Sequence, residues 1–399
     1  MKFFVSRFLL LLVFGAVLSA CTDERAILWH DKMATASSIA ASKAALIQPK
    51  KPIAVQPVYV ATSRGKENNL YLPFGSKRSP HLNFARVDVG IPAAHQKGAV
   101  EANGNKPNSG EHFAAVSMQT YKDRQDFKSA LNSALANLPQ KNKEILVFIH
   151  GYNNNFAEST FRAAQIAYDY QLNAVTVHYA WPSGGALGLY VFDRDSADYA
   201  RDGLVELLQL VSETNAKQVS VVAHSMGNYV TMEALRTLAL KKQRGPINRI
   251  SNLLLAAPDI DVDVFQMQLK DINGLPKSTA VQVSSNDKAL TVSGTITGGH
   301  ARVGDGSDIA MLNKAGIAVF DMSNVDGGSH AVFASSPTLM ALVQDGALSH
   351  SVLKGDEDND DNAAFLADGN SVIKGARSFV QGAASLILYT PARILNVAN

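Results

Sequence analysis

The sequence predicts an α/β fold in which a mostly parallel central sheet is covered by helices on both faces. Short runs rich in Val, Ile and Leu recur between residues 144 and 323, and continuous apolar runs are typical of strands buried on both faces. Between the first few of these runs lie segments whose apolar residues have helical spacing, which predicts helices. The 399 residues, 46% of them hydrophobic, suffice to bury a large core.

Predicted strands and helices alternate through the middle of the chain. The strands are EILVFIHG (144–151), NAVTVHYAWPS (173–183) and QVSVVAHS (218–225), and each precedes a helix, over residues 156–170, 196–214 and 226–240. Further strands are predicted over residues 249–259, 279–287 and 316–323. This order indicates βαβ units and a parallel sheet.

The region before this alternation has a different pattern. Two strands are predicted over residues 57–63 and 82–92 with no helix between them, which indicates an antiparallel start. Residues 100–112 are rich in turn-forming residues and predict a loop. Apolar residues at helical spacing predict a helix over residues 123–138.

The N-terminus has the organisation of a bacterial lipoprotein signal peptide. Lys2 and Arg7 precede an apolar run over residues 8–17, which is too short to span a bilayer comfortably. The sequence LSAC then ends at Cys21, the only cysteine, so no disulfide can form within the chain. We expect cleavage before Cys21 and its acylation, the alternative being an ordinary signal peptide with an accidental cysteine. Thr22, rather than Asp, after this cysteine favours the outer membrane of a Gram-negative cell, facing the periplasm.

The sequence therefore divides into four predicted parts. Residues 1–20 form the signal peptide, residues 21–55 a lipidated tether with one helix near 33–47, residues 56–345 the α/β domain, and residues 346–399 an acidic linker and an apolar tail. The acidic run over 355–362 lacks the glycine and the final ligand of a calcium loop, so a solvated linker is predicted. The apolar tail is compatible with packing on the domain and with lying against a membrane.

Composition argues against several classes of function. The net charge is +2 and no basic run or basic helix is present, so nucleic-acid binding is not expected. The histidines are scattered and no H-E-x-x-H is present, so no metal is predicted. No cofactor is predicted, and the sequence leaves the oligomeric state open.

The stretch VVAHSMGN places Ser225 between a predicted buried strand and a predicted helix. This is the context of a nucleophile elbow, a strained strand–turn–helix that presents a serine hydroxyl. The turn requires small neighbours, which Ala223 and Gly227 supply; Ala223 departs from the usual glycine. The alternative is a serine that only caps the following helix.

A serine nucleophile requires a histidine base and an acid. In proteins with a nucleophile elbow, the acid follows the serine along the chain and the histidine follows the acid. His330 follows the last predicted strand in a glycine-rich loop and is the preferred base, ahead of His300. Asp287 ends the preceding strand and is the preferred acid. Asp259 is the alternative acid, or else a turn residue after Pro258.

The negative charge of a tetrahedral intermediate requires two backbone N–H donors. Met226, which follows the serine, is predicted to provide one, and Tyr152 or Asn153 in the loop after the strand 144–151 the other. His150 and His224 are predicted to be structural rather than catalytic.

Five stretches together resemble an uncharacterised bacterial branch of the α/β-hydrolase superfamily, formerly a domain of unknown function. They are VFIHGYNNNF, AWPSGG followed by a Tyr and DRDSA, AHSMGN, LAAPDID and VSSNDKAL, and the resemblance extends over about residues 57–342. It implies the α/β-hydrolase fold, a lipase- or esterase-like site, and Ser225, Asp287 and His330 as a triad. It implies no particular substrate.

Two functions follow as hypotheses. The first is a serine hydrolase that cleaves carboxylic ester or thioester bonds of a small-molecule or lipid substrate through an acyl-enzyme at the bacterial envelope. Acyl transfer and amide hydrolysis use the same machinery and stay open. The second is a non-catalytic envelope lipoprotein that uses the fold as a binding or scaffolding surface.

Overall fold

The computed structural model describes residues 25–29, 51–69, 71–102, 104, 110–140, 143–344, 376–381 and 384–389. The predicted signal peptide with Cys21, the predicted helix near 33–47 and the acidic run over 355–362 lie outside these ranges. Within the described ranges, no helix is both long and apolar enough to cross a bilayer.

The described strands form one mixed sheet. They are β1 Ala54–Lys66, β2 Phe74–Ile91, β3 Ala114–Tyr121, β4 Glu144–Ile149, β5 Val175–Ala180, β6 Gln218–His224, β7 Asn252–Ala256, β8 Ser278–Val283, β9 Ala318–Asn324, β10 Ala376–Gln381 and β11 Ala384–Tyr389. Their order is β10-β11-β9-β8-β7-β6-β4-β5-β1-β2-β3. The seven central strands, from β9 to β1, pair in parallel, and the two antiparallel strands at each end complete the sheet. The predicted mostly parallel α/β sheet is confirmed.

The helices lie between the strands along the chain. They are α1 Arg124–Ala136, α2 Phe156–Asp169, α3 Tyr190–Ser212, α4 Met226–Leu240, α5 Arg244–Arg249, α6 Val262–Ile272, α7 Lys288–Ile296, α8 Ile309–Lys314, α9 Val332–Ser335 and α10 Pro337–Gln344. The antiparallel start of the sheet is also as predicted, because β1 pairs with β2 without an intervening helix. The third antiparallel strand, β3, was not predicted.

The central strands are apolar on both faces because both faces are covered. In β4 the side chains of Ile145 and Val147 belong to one buried cluster, while those of Leu146 and Phe148 belong to another on the opposite face. Successive side chains of a strand point to opposite faces, so a strand buried on both must be continuously apolar. Burial of this kind stabilises the fold by roughly 25 cal/mol per Å² of apolar surface.

The predicted tether of residues 21–55 needs correction, because its residues 25–29 are part of the domain. Leu28 is fully buried, its N–H donates to the Tyr71 carbonyl at 2.8 Å, and its carbonyl accepts from the Ala115 N–H at 2.8 Å. The apolar residues AILW here are too few to show a period, so composition alone indicated a linker.

The predicted end of the domain at residue 345 also needs correction. Strand β11 pairs antiparallel with β9, and Leu386 and Leu388 are buried. Of the two alternatives for the apolar tail, packing on the domain is therefore the observed one for its described residues.

The parallel arrangement places four loops at one edge of the sheet. Strands β4, β6, β8 and β9 all end at this edge, and the residues that follow them include Gly151, Ser225, Asp287 and His330. The fold thus brings together side chains that lie far apart in sequence.

Candidate active site

Ser225 occupies the turn between β6 and α4 in a strained backbone conformation. Its φ is 53° and its ψ is −125°, and it is 4% exposed. A non-glycine residue at positive φ outside the common left-handed region costs about 1–3 kcal/mol and occurs chiefly where function requires it. Helix α4 begins at Met226, so the first N–H groups of that helix lie beside the serine. The structure thus places Ser225 in the strand–turn–helix context of a nucleophile elbow.

Two glycines make room for this turn. A Cβ on Gly227 would lie 2.4 Å from the His150 carbonyl oxygen, and one on Gly151 would lie 2.8 Å from the Ser225 Cβ. Both distances are far below a normal contact, so strand β4 and the turn approach as closely as backbones can. Ala223, where glycine is usual, is fully buried and its methyl group is accommodated.

His330 and Asp287 form a hydrogen-bonded pair. His330 Nδ1 lies 2.6 Å from Asp287 Oδ2, and the Asp287 side chain is fully buried while that of His330 is 24% exposed. Asp287 also caps helix α7, since its Oδ1 accepts from the N–H groups of Ala289 and Leu290 at 3.0 and 3.1 Å. With Nδ1 bonded to the carboxylate, Nε2 is the ring nitrogen left to exchange a proton.

His224 connects His330 to Ser225. It precedes Ser225 directly, its Nε2 donates to the His330 carbonyl at 2.9 Å, and the two rings lie 4.7 Å apart. Burial, and then the charge of His330, hold the pKa of His224 well below its usual range, so the ring stays neutral. No hydrogen bond joins the Ser225 hydroxyl to His330 within the described residues; in unliganded enzymes this bond is commonly long. His224 thus contacts His330 without being placed to exchange a proton; the sequence predicted a structural His224 but not this contact.

Asp259, the alternative acid, lies in a separate network. Its Oδ2 accepts from the Tyr190 hydroxyl at 2.9 Å, its Oδ1 accepts from Ser293, and Arg302 Nε lies 3.4 Å away. Among its described contacts there is no histidine. Asp287, rather than Asp259, is thus the carboxylate that meets His330.

The loop after β4 contains the predicted oxyanion donors. The Asn153 N–H donates to Asp193 Oδ2 at 3.2 Å, so this donor is already engaged. In the described part of the chain, no acceptor meets the Tyr152 N–H. Tyr152 is therefore the better placed of the two, together with Met226 at the start of α4.

Two buried charged residues hold this loop in place, and neither was predicted. Arg64, 1% exposed, donates to the carbonyls of Asn154 at 2.7 Å and Ser183 at 3.0 Å. Asp193, fully buried, accepts from the Ser183 hydroxyl and the Gly184 N–H, each at 2.6 Å. Burial lowers the pKa of Arg64 to about 9 and raises that of Asp193. A charged residue ending an apolar strand, as in VYVATSR, was the available signal for Arg64.

His150 has the structural role that the sequence predicted. Its ring stacks on Trp181 at a centroid distance of 4.9 Å, and its carbonyl accepts from the Trp181 indole N–H at 2.7 Å. Burial holds the pKa of His150 well below its usual range, so it is neutral and cannot compete for a proton at the site.

His300, the second candidate base, lies elsewhere. It is 62% exposed on its side chain and approaches Asp261 Oδ2 at 3.5 Å. Asp261, Asp263 and His300 bring their donor atoms within 4.8 Å of one another, but the Asp261 carboxylate already caps α6. An exposed cluster of this kind is not by itself a metal site.

The sheet and this edge of it define the class of protein. A parallel sheet covered on both faces is combined with a serine on a strained strand-to-helix turn and with an acid and a histidine following later strands, which is the α/β-hydrolase arrangement. Residues 123–346, more than half of the chain, match the family described as alpha/beta hydrolase of unknown function (DUF900), and the chain belongs to that family. The resemblance seen in the sequence is confirmed in this respect.

Three solved structures are similar to parts of this chain, all at low identity and low TM-score. Esterase B from Lactobacillus rhamnosis, solved with a tributyrin phosphonate inhibitor, is 9% identical with a TM-score of 0.34, covering 57% of this chain and 81% of its own. A serine hydrolase without a lid from Xanthomonas campestris is 13% identical with a TM-score of 0.35, covering 66% and 88%. Lipase B from Aspergillus fumigatus is 15% identical with a TM-score of 0.35, covering 58% and 59%. No curated protein matches the chain significantly.

Proposed function

We propose that the protein is a serine hydrolase that cleaves carboxylic ester or thioester bonds through an acyl-enzyme on Ser225. One observation carries this proposal: the hydrogen bond between His330 and the buried carboxylate of Asp287, 2.6 Å long, beside a serine with a φ of 53°. A fold that served only for binding would have no need for an imidazole held by a buried carboxylate next to a strained serine.

The first half of the reaction forms the acyl-enzyme. His330 Nε2 takes the proton of Ser225 as Oγ attacks the carbonyl carbon of the substrate. Asp287 stabilises the resulting imidazolium through Nδ1–H. The N–H groups of Met226 and Tyr152 stabilise the negative oxygen of the tetrahedral intermediate. The intermediate then collapses, the bond to the alcohol or thiol breaks, and His330 gives its proton to that leaving group.

The second half releases the acid. A water molecule gives a proton to His330 Nε2 and attacks the acyl carbon, and the same donors stabilise the second tetrahedral intermediate. Breaking of the bond to Oγ releases the carboxylic acid, and the proton returns from His330 to Ser225. The ester, water, Ser225 and His330 account for every bond and proton in this proposed reaction, so it requires no cofactor.

We also propose that the protein is a lipoprotein held at the bacterial envelope through Cys21, at the outer membrane and facing the periplasm. The lipobox sequence LSAC supports this location. Metabolic labelling with an alkyne analogue of palmitate tests it: the wild-type chain is expected to be labelled and Cys21→Ser is not. Equal labelling of both, or of neither, would contradict the anchor.

Hydrolysis of a p-nitrophenyl ester series, from acetate to palmitate, tests the proposed activity. Turnover by the chain from residue 22 is expected to fall on the order of 10⁴-fold in Ser225→Ala. The matched control is Ser329→Ala, an exposed serine beside His330, which is expected to keep full activity. If the folded protein turned over no ester and bound no fluorophosphonate, the non-catalytic binding function would replace this one.

A further inference from the structure

The N-terminal segment enters the domain at the proposed active site. Arg25 donates to Asn153 Oδ1 at 3.0 Å and to the Asn153 carbonyl at 2.8 Å, and it pairs with Glu158 at the start of α2. Asn155 Nδ2 in turn donates to the Ala26 carbonyl at 2.9 Å. The chain is thus fastened to the loop that follows β4, which supplies the proposed oxyanion donor.

The predicted anchor is close to this point along the chain. Four residue steps separate Cys21 from Arg25, and four extended residues span at most about 14 Å. If Cys21 is acylated, as proposed above, the headgroup surface lies within this distance of Arg25. An acylated Cys21 would therefore keep the oxyanion loop close to a bilayer.

The loop beside Arg25 exposes apolar side chains. Leu187, Leu189 and Val191 are 63%, 40% and 72% exposed. The same loop passes Arg25 two residues before Leu187, since a Cβ on Gly185 would lie 3.4 Å from Arg25 Nη2. The Tyr152 hydroxyl donates to the Leu187 carbonyl, so this loop also lies against the proposed oxyanion loop.

Helix α7 also exposes apolar side chains close to the site. It starts directly after Asp287, and Val292 and Ile296, four residues apart on one helix face, are 57% and 59% exposed. The helix and the loop pack against each other, since the buried Tyr190 hydroxyl lies 3.2 Å from Ser293 Oγ. Leu187, Leu189, Val191, Val292 and Ile296 are called the apolar rim below.

We propose that the apolar rim docks onto the lipid bilayer that carries the anchor, so that Ser225 takes acyl esters from that membrane. Large apolar side chains clustered at one site on a surface mark an interaction surface, and here the short connection to Cys21 identifies the partner. This inference rests on the proposed envelope location and names the source of substrate for the proposed hydrolase. Anchor and rim act together, because a single weak membrane contact is reversible whereas two give stable binding.

Site-specific fluorescence tests this docking. The chain without an anchor, starting at residue 22, has no cysteine, so Val191→Cys or Val292→Cys can each carry one environment-sensitive NBD label. Matched controls are Val55→Cys and Leu240→Cys, which are 48% and 60% exposed. Val55 is the second residue of β1, which runs parallel to β5, so it lies at the opposite edge of the sheet. Leu240 ends α4, about 20 Å from Ser225.

The labelled proteins are mixed with vesicles of phosphatidylethanolamine and phosphatidylglycerol, some with brominated acyl chains. We expect the labels at 191 and 292 to shift to shorter wavelength and to lose emission to the bromines, and the two controls to stay in water. The unlabelled variant Leu187→Ser/Val191→Ser/Val292→Ser is expected to lose about tenfold in vesicle affinity for each side chain. The same comparison on the mature lipoprotein in vesicles shows whether the anchor orients the rim in this way.

The possible results separate the proposals. Water-like emission from the labels at all four positions, with and without the anchor, would overturn the docking. A shift in the emission of the labels at 191 and 292 without lipid would also overturn it, because it would indicate self-association. If the emission of the rim labels shifts but Cys21 proves to be unmodified, docking is supported and the proposed lipid anchor is rejected. Fluorophosphonate labelling of Ser225, followed separately, reports on the hydrolase whatever the vesicles show.

Discussion

The imidazole of His330 lies 2.6 Å from the carboxylate of Asp287, and that carboxylate is also the N-terminal cap of helix α7. The cap fixes one carboxylate oxygen with two backbone N–H groups, which leaves the other oxygen directed at the histidine. The position of the base is thus determined by the start of a helix rather than by a flexible side chain. A preorganised pair of this kind requires no rearrangement when the serine loses its proton.

Asp287→Asn is expected to lower kcat about 10³- to 10⁴-fold with little change in KM. Asparagine caps a helix as well as aspartate does, so α7 should stay intact. The amide cannot stabilise the imidazolium and favours the wrong tautomer of His330. Steady-state kinetics with the best p-nitrophenyl ester measures the loss, and circular dichroism checks the fold.

Asp259→Asn provides the matched comparison, because Asp259 was the alternative acid. It is expected to keep kcat within about tenfold of wild type, since its carboxylate meets Tyr190, Ser293 and Arg302. Its free energy of unfolding should fall by about 3–5 kcal/mol, because Arg302 would be left buried without its partner. The opposite pattern, in which Asp259→Asn loses activity and Asp287→Asn keeps it, would exchange the two assignments.

Gly227→Ala is expected to destabilise the fold by at least about 1–3 kcal/mol. The added Cβ would lie 2.4 Å from the His150 carbonyl oxygen, so β4 or the turn must move. Chemical denaturation measures the change in the free energy of unfolding. Ala223→Gly, at the equivalent position before the serine, is the control and should leave activity unchanged; equal stability of Gly227→Ala and wild type would argue against the close approach.

Arg64→Lys is expected to lower kcat about 10- to 100-fold through the oxyanion loop. The guanidinium donates to three backbone carbonyls, those of Gly75, Asn154 and Ser183, and an ammonium on a single stem cannot reproduce this fork. Steady-state kinetics with a short-chain ester measures this change in kcat. Arg86→Lys, which alters an ion pair with Asp88 on β2, should leave kcat unchanged, and a similar loss in both variants would point to a general effect of removing arginine.

The stability of the fold is expected to depend on pH through His95. Its two ring nitrogens lie 2.8 Å from Asp169 Oδ1 and 2.9 Å from Glu101 Oε2, and its side chain is 3% exposed. Burial alone would disfavour the imidazolium, but the bonds to the two carboxylates outweigh it, and the pKa of His95 is raised. Burial alone would raise the pKa of Asp169, but the hydrogen bonds that its carboxylate accepts, the one from His95 foremost, outweigh this effect and the pKa is lowered.

A group whose pKa differs between the folded and unfolded states makes the free energy of unfolding depend on pH. A raised pKa means that this stabilisation is complete below the unfolded value of about 6.5 and is lost as pH rises through the folded value. For Asp169 the stabilisation is present above about 3.9 and is lost as pH falls. The difference in free energy of unfolding between wild type and His95→Gln should therefore be largest near pH 5–6 and smaller at pH 9. His81→Gln, which replaces an exposed histidine, is the control variant, and a difference for His95→Gln that did not change with pH would contradict the assignment.

The parallel sheet could be predicted because its strands are buried on both faces and therefore read as uninterrupted apolar runs. Strand β3 could not, since AAVSMQTY is half exposed at the sheet edge and its apolar residues do not alternate cleanly. The docking of Leu28 could not be predicted either, because its hydrogen bonds are made with Tyr71 and Ala115, far along the chain.

The candidate triad residues were all identified in the sequence, because an elbow fixes the order in which an acid and a base must follow. The residues that support them were not. Arg64 and Asp193 act on the loop after β4 from different elements, and His224, predicted to be structural, was not expected to contact His330. Such contacts depend on the packing of distant segments, which residue spacing does not record.

The most direct measurement is the intact mass of the protein quenched during turnover of p-nitrophenyl butyrate, followed by peptide mapping. An added butyryl group on the peptide that contains Ser225, absent in Ser225→Ala and strongly reduced in His330→Ala because His330 activates the serine, is the result predicted for an acyl-enzyme. Ester turnover with no added mass at Ser225, or with the mass on another residue, would contradict the proposed mechanism.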